Sequence, residues 1–346
     1  MVFEEVLDEQ GAMVDTEVKR ILAVELENGH RYHPLIGAVY DILNEFCTRG
    51  GKRLAACSTL MTYEGYAGHL DDSILKVAAG VELYRHAILV HDDLVDRDDE
   101  RRGGETVHRM LELSMDSRFG EGAAVFTGNI LYSIAMRTIM GSGFDPDTLL
   151  EVVELISNEY QEVNESQVLD LAFEYKRPDW GEWEIMAGRR AASLFRATML
   201  TGAMLGNAPA EDLGKLEKAG EHIGYAFDIQ DDIIDTFATR EQYGRDPCGD
   251  IAKGKKPLHI VLATERDKGF GGLMDEIASG QKEMDPEEIR ERIEACGALE
   301  EAKTISRLHS RDARETIIST SMGSESKEFF LSLIDFVDDS LDWYRV

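Results

Sequence analysis

Two groups of carboxylate side chains share one spacing in the chain. The first aspartate cluster is DDLVD at residues 92–96, and the second aspartate cluster is DDIID at residues 231–235. On an α-helix, positions i, i+1 and i+4 lie within about 100° of arc, so each cluster places three carboxylates on one face. Oxygen ligands of this kind bind Mg²⁺. Each cluster is therefore a candidate metal site, and the alternative for a single cluster is a solvated acidic helix end.

A third cluster, DDSLD at residues 338–342, has different surroundings. It contains the same spacing of carboxylates, but no glycine lies near it and its only basic neighbour is Arg345. We interpret this third cluster as surface charge.

Basic residues accompany the first two clusters in a chain that is otherwise strongly acidic. Arginine binds phosphate through two parallel hydrogen bonds, and carboxylates bind phosphate through a metal. The combination predicts a polyphosphate site, with two helices whose clusters face each other across a cavity in a helical bundle. The basic residues concerned are Lys52, Arg53, Arg101, Arg102, Arg189, Arg190, Arg245, Lys253, Lys255 and Lys256.

The elements that must position these residues are predicted to be helices. All seven prolines lie where helices should begin or end, and strand-like alternation is nearly absent. We predict one all-α domain over residues 1–346, a bundle of ten or more helices with central helices wrapped by others. Apolar residues recur at three- and four-residue spacing in five long segments, 74–95, 123–140, 149–173, 184–205 and 213–237.

Composition restricts the class of protein. The hydrophobic fraction of 43% supports a sizeable core, and the net charge of −30 argues against nucleic acid and anionic membrane surfaces as partners. Four scattered cysteines without a CxxC pair predict reduced thiols in a cytoplasmic protein. The acidic N-terminus predicts no signal peptide, and no apolar run is expected to reach the roughly 18 residues of a membrane span.

In its motifs the chain resembles the trans-isoprenyl diphosphate synthases, the polyprenyl synthetase family, and within it the geranylgeranyl and other short-to-medium-chain synthases. The resemblance implies the type I isoprenoid synthase fold, all-α around a deep central cavity, in a homodimer. It implies that Mg²⁺, or Mn²⁺ in its place, assists the condensation of an allylic prenyl diphosphate with isopentenyl diphosphate through an allylic carbocation. The matching segments are GGKRL at 50–54, ELYRHAILVHDDLVDRDDERRGGETVH at 82–108, SQVLDL at 166–171 and YAFDIQDDIIDTF at 225–237.

The resemblance assigns roles to individual residues. Arg101 matches an arginine that binds the allylic diphosphate, and Lys52 and Arg102 match ligands of isopentenyl diphosphate. Gln167 and Asp170 match a polar pair on the cavity wall. The implied catalytic and metal-binding residues are Asp92, Asp93, Asp96, Asp231, Asp232 and Asp235, with Arg101 as a further catalytic residue and Asp170 as a further metal ligand. The implied substrate-binding residues are Lys52, Arg53, Arg85, Arg101, Arg102, Gln167, Arg190, Asp228, Arg245 and Lys255.

The chain departs from the family pattern mainly on the side of the second substrate. An arginine of the pattern is Ala55 here, and the histidine seven residues before the first aspartate is Arg85, with His86 beside it. A lost charge-assisted contact costs about 1.5–3 kcal/mol, so we expect a weakened or remodelled isopentenyl diphosphate site that Arg85 partly restores. Asp228 replaces a glutamine, and its added negative charge is costly unless a metal or an arginine pairs with it.

Three functions stay open on the sequence. The first is a chain-elongating synthase, and the second is an enzyme that ionises the allylic diphosphate but uses another acceptor or cyclises the cation. The third is a non-catalytic partner subunit. The intact aspartate clusters argue against the third function, whereas Ala55 and Asp228 keep the second open.

Product length is predicted from the helix that leads into the first aspartate cluster. Ala87, next to Ile88, is small and lies five residues before Asp92, whereas Tyr84 is large and lies eight residues before it. A growing chain that passes Ala87 would stop at a floor formed by Tyr84, which predicts a product of about C20–C25 from the rise per residue of a helix. The alternative is that Tyr84 is an ordinary core residue.

Overall fold

The computed structural model describes residues 2–243 and 247–345, and these are almost entirely helical. They form sixteen α-helices, one hairpin of two short strands and a C-terminal 3-10 turn. The predicted all-α fold is therefore confirmed. Arg245, a predicted substrate ligand, lies outside the described residues, and its role stays a prediction.

The helices group into two compact units. Unit 1 consists of Met1–Leu155, Thr198–Pro209 and Met322–Phe329. Unit 2 consists of Ile156–Ala197, Ala210–Ser321 and Phe330–Val346. The single domain and the central cavity of the sequence analysis stay predictions.

Unit 1 is built around one helix that is buried on most of its surface. That helix, α4, packs against α1, α3, α5 and α6. Glycine permits the closest approach between α4 and α6, because a Cβ atom on Gly80 would lie 2.6 Å from Cγ1 of Ile139. The elements are α1 Val2–Tyr32, α2 Pro34–Thr48, α3 Leu54–Ala67, α4 Asp72–Val95, β1 Glu100–Arg101, β2 Gly104–Glu105, α5 Val107–Glu112 and α6 Ser117–Met140.

Unit 2 has its core around α9, which packs along α15. Buried aromatic and aliphatic side chains, including Trp183, Ile229 and Phe270, form one cluster there. Its own elements are α9 Ala210–Phe237, α10 Arg240–Tyr243, α11 Gly249–Ala252, α12 Leu258–Arg266, α13 Lys268–Ala278, α14 Pro286–Ala295, α15 Ala298–Ser319 and the 3-10 turn Trp343–Arg345. Three helices contribute residues to both units: α7 Pro146–Glu174, α8 Trp180–Leu205 and α16 Ser324–Ser340.

Helix α6 corrects one expectation from the sequence. By length and composition it is apolar enough to cross a membrane, and it is the one such helix in the described part of the chain. Its three charged residues, Arg118, Glu121 and Arg137, lie toward its two ends. Half of its apolar window is buried inside the protein, as in the core helix of a globular protein.

The thiols agree with the sequence analysis. Cys47, Cys57, Cys248 and Cys296 are all free. Burial raises the pKa of the Cys248 thiol to about 12, so this side chain is an unreactive core residue at neutral pH.

The third cluster is not simply surface charge, and that prediction was wrong. Lys303 on α15 is fully buried, and its Nζ donates to Asp342 Oδ1 and to Tyr344 Oη, both at 2.7 Å. Asp338 is half-buried, and of the three acids in this cluster only Asp339 is exposed. The local sequence gives no sign of this arrangement, because the buried ammonium group that requires Asp342 lies 39 residues away.

Replacing Asp342 by alanine should lower the free energy of unfolding by about 1.5–3 kcal/mol, because Lys303 then loses a charged hydrogen-bond partner. Urea denaturation at pH 7 measures the change. Asp339→Ala is the matched control, and its effect should stay within about 0.5 kcal/mol because the side chain is exposed. Equal losses for the two variants would contradict the buried pair.

Candidate active site

The first aspartate cluster lies at the C-terminal end of α4. Asp92 and Asp93 belong to its last turn, and the backbone N–H of Asp96 caps the helix by donating to the Asp92 carbonyl at 2.8 Å. Asp93 is fully buried, and the other two aspartates are half-buried. The C-terminal end of a helix carries partial negative charge, so three carboxylates there require positive charge from elsewhere.

Arg101 supplies part of that charge. Its Nε donates to Asp93 Oδ1, and its Nη2 lies 3.4 Å from Asp92 Oδ2. The strands β1 and β2 bring Arg101 back to the end of α4. Their turn has positive φ at Arg102 (53°) and Gly103 (75°), which is the geometry of a two-residue hairpin of type I′.

One oxygen of the first cluster has no protein partner. Asp93 Oδ2 is buried and accepts no hydrogen bond from any residue that the structure describes. Burial raises the pKa of Asp93 to about 7, although Arg101 acts in the opposite direction. A divalent cation would satisfy this oxygen and hold the carboxylate ionised. The first cluster therefore fits a metal ion.

Arg53 does not fit its predicted role as a substrate ligand. It adopts φ of 50° before α3, and its side chain is only 1% exposed. Its guanidinium donates to Asp15, to Glu82 Oε1 at 3.2 Å and to the carbonyls of Cys47 and Arg49 at 3.0 and 2.8 Å. These contacts engage every nitrogen of the group, so we correct the prediction and assign Arg53 to the interior of unit 1.

Arg102 lies next to the loop that contains Lys52. A Cβ atom on Gly51 would lie 2.7 Å from Arg102 Cζ, so the absence of a side chain at residue 51 makes room for the guanidinium. The structure thus brings together two of the basic groups that the sequence assigns to isopentenyl diphosphate. Both Lys52 and Arg102 are exposed.

Gly51→Ala should raise the KM for isopentenyl diphosphate about tenfold, because the new methyl group displaces Arg102, and one charge-assisted contact is worth about 1.5–3 kcal/mol. Gly50→Ala is the matched control, since no atom lies within 4 Å of its Cβ position. Steady-state kinetics with both substrates varied give the two KM values. The same KM in both variants would show that the position of Arg102 is unimportant.

His86 is neutral and serves Arg102 and Arg53 as an acceptor. Its Nδ1 lies 2.8 Å from the Glu82 carbonyl, to which it can only donate, so Nε2 is left to accept from the two arginines at 3.4 Å. Burial lowers the pKa of His86 to about 4. The neighbouring Arg85 is half-buried and has no hydrogen bond or ion pair within the described residues. Asp92 and Glu82 attract its charge, but its N–H donors are available to a ligand.

The proposed floor residue, Tyr84, is fully buried within unit 1. Its ring packs against Tyr132 of α6, with 6.4 Å between centroids. Ala87 and Ile88 are buried in the following turn of α4. The sequence gives no sign of Tyr132, because nothing in the local pattern of α6 indicates which of its residues faces Tyr84.

The second aspartate cluster lies in the last two turns of α9. Asp231 is exposed, Asp232 is half-buried and Asp235 is buried. Asp235 Oδ2 accepts from the backbone N–H of Asp250 at 3.1 Å and its carbonyl accepts from Cys248 at 2.8 Å, which attaches the following loop to the helix. Burial raises the pKa of Asp235 to about 6.

Arg190 on α8 gathers the remaining predicted residues of unit 2. Its Nη2 donates to Asp228 Oδ2 at 2.7 Å, and its Nη1 donates to Asp170 Oδ1 at 3.3 Å. Asp232 Oδ2 lies 3.9 Å from Nη2, and Lys255 Nζ lies 3.9 Å from Asp170 Oδ2. The negative charge of Asp228 is thus paired with an arginine, which is the compensation that the sequence requires.

The second cluster also fits a metal ion. Asp232 Oδ2 is buried and has no hydrogen-bond partner among the described residues. Burial and the neighbouring Asp228 raise the pKa of Asp232 well above its ordinary value, against the effect of Arg190. Gln167, the last of the predicted residues here, is half-buried on α7 one turn before Asp170.

Neither cluster is a complete metal cage. No group of three or more His, Cys, Asp or Glu side chains in residues 2–243 and 247–345 is arranged to hold a metal ion alone. Mg²⁺ in proteins commonly takes one or two carboxylates and completes its shell with substrate phosphates and water. The two clusters match that mode of binding, in which the ligand shell is shared with a phosphate.

Comparisons with known proteins agree with this fold. The family model of the polyprenyl synthetases matches residues 37–296. The chain is 32% identical over 294 residues to the short chain isoprenyl diphosphate synthase of Methanothermobacter thermautotrophicus, covering 84% of this chain and 86% of that protein. It is 30% identical over 270 residues to the geranylgeranyl diphosphate synthase of Methanosarcina mazei, covering 78% and 79% of the two chains.

A solved structure shows the same fold. The geranylgeranyl pyrophosphate synthase from Corynebacterium glutamicum, crystallised with isoprenyl diphosphate and magnesium, superposes with a TM-score of 0.88 at 22% identity, over 98% of this chain and 99% of that chain. The fold and the sequence relationships define a trans-prenyltransferase with the all-α type I fold. The chain belongs to the polyprenyl synthetase family and is a prenyl diphosphate synthase.

Proposed function

We propose that this chain elongates an allylic prenyl diphosphate with isopentenyl diphosphate and Mg²⁺, and releases a trans-prenyl diphosphate of about C20–C25. The observation that carries the proposal is that Asp93 and Asp232 each keep a buried oxygen without a hydrogen-bond partner among the described residues, beside an arginine. A bound cation would offset the cost of keeping such buried carboxylates ionised. Relatives named as short-chain and geranylgeranyl synthases support the substrate class.

The residues of the chain bind and orient the leaving diphosphate. When bound, Mg²⁺ would stabilise the negative charge that develops on the leaving group. Arg101 and Arg190, each beside a carboxylate of its own cluster, are each able to donate hydrogen bonds to a diphosphate bound at that cluster. The prenyl tail runs along α4 past Ile88 and Ala87 toward Tyr84, where apolar side chains exclude water from the cation.

Arg85 takes over the contact that Ala55 has lost. Ala55 is buried and apolar, whereas Arg85 is half-buried and makes no hydrogen bond or ion pair among the described residues. We assign the isopentenyl diphosphate oxygens to Arg85, Arg102 and Lys52. The second substrate site is then remodelled and functional, which favours the elongating synthase over an enzyme with another acceptor.

Product analysis tests this function. The chain is incubated with Mg²⁺ and dimethylallyl, geranyl or farnesyl diphosphate, each with and without isopentenyl diphosphate. Longer prenyl diphosphates should form only when isopentenyl diphosphate is present. Release of diphosphate without isopentenyl diphosphate would instead identify an enzyme that ionises the allylic substrate and uses another acceptor.

The proposed enzyme is a homodimer that uses α6 in its interface. Phe126 is 70% exposed and Val125 is 43% exposed on this helix, which is unusual for adjacent large apolar residues. Phe126→Glu should convert the dimer to a monomer, as measured by light scattering coupled to size exclusion. Val24→Glu, at an exposed apolar residue of α1, is the control and should stay dimeric. A dimeric Phe126→Glu variant would place the interface elsewhere.

A further inference from the structure

Arg190 is shared among three carboxylates. Its side chain is 18% exposed, and it donates to Asp228 and Asp170 while lying 3.9 Å from Asp232. Its Nε is buried and has no hydrogen-bond partner among the described residues. All three acids lie within 4 Å of its two terminal nitrogens. The guanidinium is therefore strongly held by these acids.

Two of these acids are also the proposed ligands of a metal ion. Asp170 Oδ1 and Asp232 Oδ2 now face Arg190, and Asp170 Oδ2 faces Lys255, so a cation at these two acids would lie close to the guanidinium. Two positive groups cannot share these oxygens without repulsion, because charges a few ångströms apart in a half-buried site interact strongly. Binding of the metal and retention of Arg190 are therefore in competition.

Asp228 is the acid that is not a proposed metal ligand. It lies one turn before Asp232 on α9, and its contact with Arg190, at 2.7 Å, is the shortest of the three. When a metal takes Asp170 and Asp232, Arg190 still has Asp228 as a partner. The guanidinium then stays at the edge of the site, where it can bind an anion that the metal also binds.

We propose that Arg190 is an internal counter-ion that competes with the metal at Asp170 and Asp232, and that Asp228 is the positioning residue that keeps Arg190 in the site. A diphosphate relieves the competition, because it provides a new negative partner for both cations at once. Metal ions then bind weakly to the protein alone and tightly together with diphosphate. The inference rests on the proposed function, since it requires a metal at the second cluster.

The test measures binding of Mn²⁺, an oxygen-binding substitute for Mg²⁺, to the full chain by electron paramagnetic resonance. In the measurements with Mn²⁺ alone, all proteins carry Asp92→Asn and Asp93→Asn. The signal then reflects binding of Mn²⁺ at the second cluster. Arg190→Gln should raise the affinity about tenfold, because a competing charge is removed. Arg189→Gln is the matched control, since Arg189 is the adjacent arginine and pairs with Glu165 instead.

Two further measurements complete the test. Asp228→Asn should lower the affinity for Mn²⁺ alone, because Arg190 then relies on the two metal ligands. Arg190→Lys should lie between the wild type and Arg190→Gln, since a single ammonium group cannot bridge three acids. Circular dichroism confirms that each variant folds.

Inorganic diphosphate distinguishes failure of this inference from failure of the proposed function. In the chain with an intact first cluster, diphosphate should raise Mn²⁺ affinity at least about tenfold, and Arg190→Gln should remove most of that gain. Arg190→Gln could leave the affinity for Mn²⁺ alone unchanged or lower it, while the wild type still binds Mn²⁺ with diphosphate. That result would overturn this inference and leave the proposed function standing. If the wild type binds no Mn²⁺ even with diphosphate, the proposed function fails as well.

Discussion

Replacing Asp93 by asparagine is expected to lower kcat about 10³-fold, and to make the metal-free protein more stable at pH 8. The activity falls because the variant loses a carboxylate that would hold a metal against the leaving diphosphate. Kinetics at saturating Mg²⁺ and both substrates give kcat. A kcat within tenfold of the wild-type value would show that Asp93 is not a metal ligand.

The gain in stability follows from the pKa of Asp93. Burial raises that pKa to about 7 in the folded protein, above its ordinary value of about 3.9 in an unfolded chain. The folded state therefore binds more protons between these values, and ionisation of Asp93 costs stability as pH rises from about 4 to about 7. Asparagine still accepts from Arg101 and carries no charge, so the cost disappears.

The pH dependence provides the control for this prediction. The free energy of unfolding of metal-free Asp93→Asn should exceed that of the wild type by about 1–3 kcal/mol at pH 8, and the difference should vanish near pH 4. Asp98→Asn removes a neighbouring carboxylate that lies 3.8 Å from Arg101. The side chain of Asp98 is less buried than that of Asp93. It should not reproduce the gain at pH 8. A destabilised Asp93→Asn at pH 8 would show that the ion pair with Arg101 outweighs the cost of burial.

Arg85→Gln is expected to raise the KM for isopentenyl diphosphate about 10–100-fold and to leave the KM for the allylic diphosphate nearly unchanged. The reason is that Arg85 makes no hydrogen bond or ion pair among the described residues and replaces the charge absent at Ala55. Initial rates with each substrate varied in turn separate the two constants.

A second substitution sharpens the test of Arg85. Ala55→Arg in the Arg85→Gln background returns a guanidinium to the other position and should recover part of the lost affinity for isopentenyl diphosphate. Ala56→Arg, at the next buried alanine of α3, is the matched control and should give no recovery. Equal changes in both KM values for Arg85→Gln would assign Arg85 to the protein interior rather than to one substrate.

The long helices could be predicted from the sequence, and their ends show why the prediction was incomplete. Helices α4, α6, α8 and α9 end at the residues that apolar periodicity indicated, but each begins earlier. Helix α6 begins at Ser117 rather than at residue 123, because Asp116 Oδ1 accepts from the Phe119 N–H and caps a polar first turn. Periodicity detects only the buried part of a helix, and the capped turn lies before it.

The site could be predicted by residue type, but not by the partner of each residue. The spacing of the aspartates and the positions of the arginines indicated the two clusters as candidates. The sequence could not show that Arg53 belongs to the interior while Arg102 remains exposed, because Asp15 and Glu82 lie 38 and 29 residues from Arg53. The pairing of Arg190 with Asp228 could not be predicted for the same reason, because the two residues lie 38 positions apart.

The hairpin after α4 constrains how this chain can change in length. One peptide bond separates Arg101, directed to the first aspartate cluster, from Arg102, directed to Gly51 and His86. The two strands have two residues each, paired Glu100 with Glu105 and Arg101 with Gly104. An insertion or deletion of one residue in this turn would shift both arginines together, and no longer strand exists to absorb the shift. Substitutions can therefore tune either arginine separately, whereas the number of residues in the turn is fixed.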